Sequence, residues 1–139
     1  MRSAAWGLLA LAVIGAACRS PEDCGAAPAA VVGRWTYSAS QSAPSTATVS
    51  GILTLQAGCP SFQGSLDGTE RDALGNTAPV HVPVAGQMLN ATSVQFDAYL
   101  GVATRQHLGA LANDTIRGTW VDQTSGSNGS FVAAKELTP

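Results

Sequence analysis

Between residues 31 and 135 apolar and polar side chains alternate in short runs, separated by Gly, Asn, Asp, Ser and Pro. Successive side chains of an extended chain point to opposite faces, so each run predicts a strand with one buried and one wet face. Eight runs stand out, at residues 31–38, 47–56, 61–67, 80–87, 93–100, 104–112, 115–122 and 130–135. No segment carries a 3.6-residue repeat, so the expected fold class is all-β.

Parity assigns the faces. One face collects the aromatic side chains Trp35, Tyr37, Phe62, Phe96, Trp120 and Phe131, together with Val49, Leu53, Leu55, Leu66, Val80, Val82, Val84, Val94, Leu108 and Ile116. The other collects Arg34, Thr36, Ser50, Thr54, Gln63, Ser65, His81, Gln95, Asp97, Arg105, His107, Arg117 and Thr119. Six of the seven aromatics beyond residue 17 share the first face, which is therefore the buried one. Glycines recur on it at Gly33, Gly51, Gly64, Gly86 and Gly118, where a missing side chain lets a strand bend inward. Bent strands joined by short turns predict closure into an eight-stranded antiparallel up-and-down β-barrel. Hairpins centred on Val102 and Asn113 would set Phe96 opposite Leu108, Asp97 opposite His107 and Ala110 opposite Ile116. The six aromatics are thus the candidate barrel-lining residues; parity does not say whether they fill the barrel or leave it hollow.

In such a meander the connections alternate between ends. Those at 38–46, 68–79, 101–103 and 123–129 are expected at an open, loop-rich end, and the shorter ones at 57–60, 88–92 and 113–114 at a closed one. Binding residues concentrate on loops of a rigid scaffold, so Asp67, Glu70, Arg71 and Asp72 form a candidate mouth loop. Their spacing does not match a calcium-binding loop and reads as a solvated charged segment, so no metal site is assigned. His81 and His107 stand singly on the outer face and have no nucleophile near them in sequence. No catalytic residue and no cofactor is assigned, and the reading is of a protein that is not an enzyme. Asn90, Asn113 and Asn128 each open an Asn-x-Ser/Thr triplet and are read as turn residues.

The amino terminus has a different pattern. Arg2 precedes an apolar run over residues 4–14, and Gly15-Ala16-Ala17 leads to Cys18, the layout of a cleaved signal peptide too short to span a bilayer. Gly15-Ala16-Ala17-Cys18 resembles the lipobox of bacterial lipoproteins, with Gly15 where that family prefers Leu, Val or Ile. The resemblance implies cleavage after residue 17 and lipidation of Cys18 (diacylglyceryl and palmitate-type acyl chains), hence a membrane anchor. Ordinary cleavage after Ala17 and secretion is the alternative. Three cysteines are present. With Cys18 acylated, Cys24 and Cys59 remain as a pair suited to an oxidising space, and their bridge would close a 36-residue loop. The expected organisation is a signal peptide at 1–17, a lipidated tether at 18–30, a barrel domain at 31–135 and a tail at 136–139. Removing residues 1–17 from the 139 leaves 122, enough for one domain; with Arg2 gone, six of the seven Lys and Arg face nine Asp and Glu. Those cations are scattered, which excludes a nucleic-acid footprint and a polybasic membrane patch. Arg19 after the cysteine resembles the outer-membrane sorting pattern of enterobacterial lipoproteins.

Gly33-Arg34-Trp35 at the first strand resembles the Gly-x-Trp signature of the calycin superfamily, the lipocalins and avidins, whose members are small meander barrels. In lipocalins a basic residue ending the last strand packs over that Trp, and Lys135 stands in the matching place. The avidin-type site needs several tryptophans, and only Trp35 and Trp120 lie beyond the signal, so the resemblance implies the fold and not a ligand. The expected function is that of a lipid-anchored envelope protein whose barrel binds a small apolar ligand. The alternative is a structural or inhibitory envelope lipoprotein that holds a protein partner through its open-end loops.

Overall fold

A computed structural model describes residues 28–137. Eight strands follow one another as β1 (Gly33–Ala43), β2 (Ala47–Ala57), β3 (Phe62–Arg71), β4 (Thr77–Met88), β5 (Ser93–Leu100), β6 (Ala103–Ala112), β7 (Thr115–Asp122) and β8 (Asn128–Lys135). Each pairs antiparallel with its sequence neighbours and β8 returns to β1, so the sheet is a closed up-and-down barrel. Closure removes most free strand edge and buries one face of every strand. The 1–17 signal, Cys18 and Cys24 fall outside the described residues.

Alternation places the core where the apolar parity lies. Trp35, Leu53, Leu55, Phe62, Val94, Phe96, Ile116 and Phe131 are fully buried. The sheet can coil this tightly because glycines face each other across neighbouring strands. Gly51 pairs with Gly68, and a Cβ on Gly51 would stand 2.6 Å from the Gly68 Cα. Any side chain there would push β2 and β3 apart.

Several strands run further than hydrophobic alternation suggests. β1 begins at Gly33, not at residue 31, and continues to Ala43; β3 reaches Arg71 and β4 starts at Thr77. The expected loops at 38–46 and 68–79 thereby shrink to residues 44–46 and 72–76. The added residues are mostly small or polar, among them Ala39, Ser40, Gln41, Gly68, Thr69, Glu70, Arg71 and Thr77, and their backbones continue the ladder without an apolar signature. The two ends of the barrel consequently carry connections of similar length, and the expected loop-rich end is not markedly longer than the other.

The register of β6 also differs. Two two-residue turns fix it: Gly101 at φ 77° with Val102, and Asn113 and Asp114 at φ 51° and 56°. Positive φ at both central residues, as at Asn113-Asp114, is the type I′ geometry, and positive φ at the first alone, as at Gly101, is the type II′ one; both match strand twist. Leu100 then pairs with Ala103, Phe96 with His107, Asp97 with Gln106 and Leu111 with Ile116. The expected Phe96–Leu108, Asp97–His107 and Ala110–Ile116 pairs are each one residue off, and such a slip exchanges the faces of a strand. His107 is fully buried, Arg105 turns inward, and Leu108 is 51 % exposed.

β4 pairs with β5 only over residues 84–88, while its first half pairs with β3 alone. The Gly86 carbonyl accepts from Ser61 on the β3 side, and the Leu89 N–H donates to Ser93 on the β5 side. Even-numbered β4 residues therefore point their backbone groups toward β3 and odd-numbered ones away from it. Pro79, His81 and Pro83 occupy the free edge, where proline forfeits no ladder bond.

Candidate functional site

The closed end is sealed from both termini. Val31 and Val32 donate to the Pro28 carbonyl, making a turn whose Val31 side chain is fully buried, and the Val31 carbonyl accepts the Trp35 indole N–H at 2.9 Å. Lys135 Nζ lies 5.5 Å from the Trp35 ring centroid and donates to the carbonyls of Ala29 and Ala30 at 3.2 and 3.3 Å. Gly33 makes the crossing possible: it sits at φ +140°, and a Cβ there would come 3.1 Å from the Lys135 stem. Cys59 sits in the β2–β3 connection at this end and is not a free thiol. Its expected partner Cys24 lies outside the described residues.

Above this seal the interior is filled with rings. His107 stacks on Phe96 at 4.3 Å between centroids and meets Phe131 edge-on at 5.0 Å; Phe131 in turn stacks on Tyr37 at 6.0 Å. The Tyr37 hydroxyl donates to His107 Nε2 at 2.7 Å, while His107 Nδ1–H donates to the Arg105 carbonyl at 3.0 Å. Both ring nitrogens are thus satisfied by the neutral imidazole. Burial pushes the His107 pKa down to about 4; the Arg105 guanidinium adds to that, while hydrogen bonds to the Arg105 and Phe96 backbones oppose it. Burial likewise pushes the Tyr37 hydroxyl above its ordinary range, with Arg105 pulling the other way.

Over these rings, at the open end, Arg105 bridges the mouth. Its guanidinium lies 4.8 Å from the Trp120 ring centroid, and its Nη2 approaches Glu70 Oε1 at 3.6 Å. Together with Ala39, Gln41, Ala47 and Val49 these side chains meet in a tight crevice that leaves no room for a water molecule. Two buried donors beside it, Arg105 Nε and Trp120 Nε1, have no hydrogen-bond partner. An unmatched buried donor costs roughly 1–3 kcal/mol and attracts an acceptor.

All six expected lining residues, Trp35, Tyr37, Phe62, Phe96, Trp120 and Phe131, are buried. Arg105 and His107, assigned to the outer face by parity, are the interior polar groups instead. Turn chemistry was the signal for them, since short turns on both sides of β6 leave one register. The residues of the expected mouth loop separate. Asp67, Glu70 and Arg71 belong to β3, with only Asp72 in the connection. Glu70 faces Arg105, whereas Asp67 points outward and accepts from His81 and Ser65, which hold its carboxyl below the usual range. Asp72 accepts from the backbone of Asn76 and Leu74 within its own turn, which lowers it too. Among the described residues no three His, Cys, Asp or Glu side chains converge on a point.

These features define a small closed β-barrel with a ring-filled interior and a polar mouth. No protein-family profile and no curated protein sequence matches the chain. Among solved structures it is similar to a de novo designed fluorescence-activating β-barrel, with a TM-score of 0.60 at 14 % identity, over 76 % of this chain and 93 % of that one. At that identity the similarity shows the fold.

Proposed function

We propose that the chain is a lipid-anchored protein of the bacterial cell envelope, at the outer membrane, whose barrel binds a small, largely apolar ligand at its open end and carries out no catalysis. The observation that carries the binding half is the pair of unpartnered donors, Arg105 Nε and Trp120 Nε1, at the tight crevice lined by Ala39 and Val49, whose side chains a ligand would part on entering. A ligand with an apolar body and one carbonyl or hydroxyl oxygen would satisfy them, and the packed rings below confine it to the mouth. The anchor rests on the lipobox-like run ending at Cys18. The calycin-like reading rests on Gly33-Arg34-Trp35 with Lys135 lying over Trp35. A Cys24–Cys59 bridge would fasten the tether to the closed end, leaving the mouth away from the membrane.

Native mass spectrometry of the full chain from its own envelope tests both halves. An extra mass lost on denaturation, and absent from a Trp120→Phe variant, supports the ligand; a bare mass that takes up no added fatty alcohol overturns it. An acyl mass on the peptide beginning at Cys18 supports the anchor, and an unmodified thiol there overturns it.

A second reading, a protein partner held by the open-end connections, is favoured by Leu74 and Val102, which are 87 % and 94 % exposed on neighbouring connections of that end. Capture of an envelope protein that is lost on Leu74→Ser and Val102→Ser would support it; capture unchanged by both would not.

A further inference from the structure

On the outer wall, away from the mouth, a groove of about 510 Å³ crosses β2, β3 and β4 and continues past Tyr99 into a hollow of about 240 Å³. Clefts that hold small ligands have volumes of this order. The lining is unusual in its chemistry. Gln56 and Gln63 supply amides, Thr54 a hydroxyl, and Tyr99 and Pro83 flat apolar faces, and the larger part of the groove has no charged side chain. The hollow contributes one, Asp97, whose Oδ1 is shielded from solvent and has no hydrogen-bond partner.

Each property excludes a class of ligand. A phosphate or carboxylate would find no cation here. A metal ion would find one carboxylate, where two or more oxygen donors from side chains are the rule. A purely apolar molecule would strand the amides and leave Asp97 unmatched. A sugar fits: its hydroxyls both donate and accept, as amides do, its C–H face covers a flat aromatic ring, and a hydroxyl would supply the donor that Asp97 lacks. Tyr99 is 41 % exposed and lines both the groove and the hollow, which leaves apolar surface to be covered.

We propose that this outer groove is a second binding site, for an uncharged oligosaccharide, with Tyr99 as the stacking platform, Asp97 as acceptor, and Gln56 and Gln63 as amide partners. The site is independent of the mouth, so either can fail alone. Two or three sugar rings would span the groove and the hollow together.

Isotope-labelled full chain titrated with the N-acetylglucosamine trimer, with maltotriose, and with inorganic phosphate tests it by NMR. The expected result is saturable shifts at ~1 mM sugar in the amides of Gln63, Ala85, Asp97 and Tyr99, with either sugar and without phosphate. Tyr99→Ala should weaken binding about five- to tenfold, the range of one aromatic contact. Asp97→Asn, which keeps the shape, should weaken it less. Glu70→Gln at the mouth should leave it unchanged. Absence of shifts up to ~10 mM of either sugar, shifts gathered at Arg105 and Trp120, or affinity indifferent to Tyr99→Ala in a variant with an unchanged spectrum would each overturn the proposal.

Discussion

Acid should destabilise this barrel in part through one buried interior group, His107. His107 is fully buried, and it faces the Tyr37 hydroxyl, the Phe96 and Phe131 rings and, beyond its own backbone bond, the Arg105 guanidinium. Nothing facing it is an anion, so a proton would add a second cation beside Arg105 among aromatic rings. Its pKa falls from an ordinary 6.5 to about 4. In the unfolded chain it takes a proton at ordinary pH 6.5, while the folded chain resists until about pH 4. Between those values the unfolded state binds more protons, so stability is full above the upper value and falls as pH drops to the lower one. At about 1.4 kcal/mol for each factor of ten, the loss approaches 3 kcal/mol. The perturbation is the pair Tyr37→Phe with His107→Leu, which removes the titrating ring without orphaning the hydroxyl. Urea unfolding followed by tryptophan fluorescence at pH 7, 6, 5 and 4, wild type against the double variant, gives the difference directly. Asp67, Asp72 and Asp122, held low, lose stability in acid, and Asp97, raised by burial, does the reverse. These contributions are common to both chains and cancel. A difference that stays flat from pH 7 to 4, or a His107 ring resonance that titrates near its ordinary value, would refute the reasoning.

Other substitutions test the seal, the coil and the register. Lys135→Met keeps the stem over Trp35 and removes the donor to Ala29 and Ala30, so thermal unfolding should show a loss of about 1–2 kcal/mol. Gly68→Ala would drive a Cβ to 2.1 Å from the Ser50 carbonyl oxygen and should cost more than about 2 kcal/mol in denaturant unfolding, although only one methyl is added. Leu108→Thr should change stability by less than about 0.5 kcal/mol, whereas Phe96→Ala should cost roughly 3–5 kcal/mol; equal losses by urea unfolding would mean that Leu108 is in the core.

How much of this was readable in the residues depends on the strand. In β1, β2 and β7 most of the large apolar residues fall on one parity (Trp35 and Tyr37; Val49, Leu53 and Leu55; Ile116 and Trp120), and hydrophobic parity alone finds the inner face. β6 reads ATRQHLGALA, and its one large exposed apolar residue, Leu108, has the wrong parity, while the inward positions are Arg105, His107, Gly109 and Leu111. Hydrophobicity votes for the wrong face there, and backbone geometry decides. Because Asn113 and Asp114 both adopt positive φ, the turn after Ala112 has two residues and no freedom to slide. The candidate site was hidden for the same reason, since its polar residues sit on the strand whose parity misleads. The extensions of β1, β3 and β4 were hidden because small and polar residues such as Ala39, Ser40, Gln41, Thr69, Glu70 and Thr77 pair as strands without large apolar side chains. Glu70 was visible as a charge but not as the partner of Arg105, because contact between β3 and β6 is made across the barrel and not along it.

The free half-edge of β4 sets how this molecule meets copies of itself. An open strand edge is a template, and a second chain arriving there needs donors as well as acceptors to add a strand. Of the edge-facing residues Thr77, Pro79, His81 and Pro83, only Thr77 and His81 can donate a backbone N–H, because the prolines have none. An incoming strand would find carbonyls it cannot exchange with, two donors in place of four, and two rings where its own backbone must approach. Such a surface can be crowded without fibril growth, which is the property a chain needs wherever many copies are confined side by side.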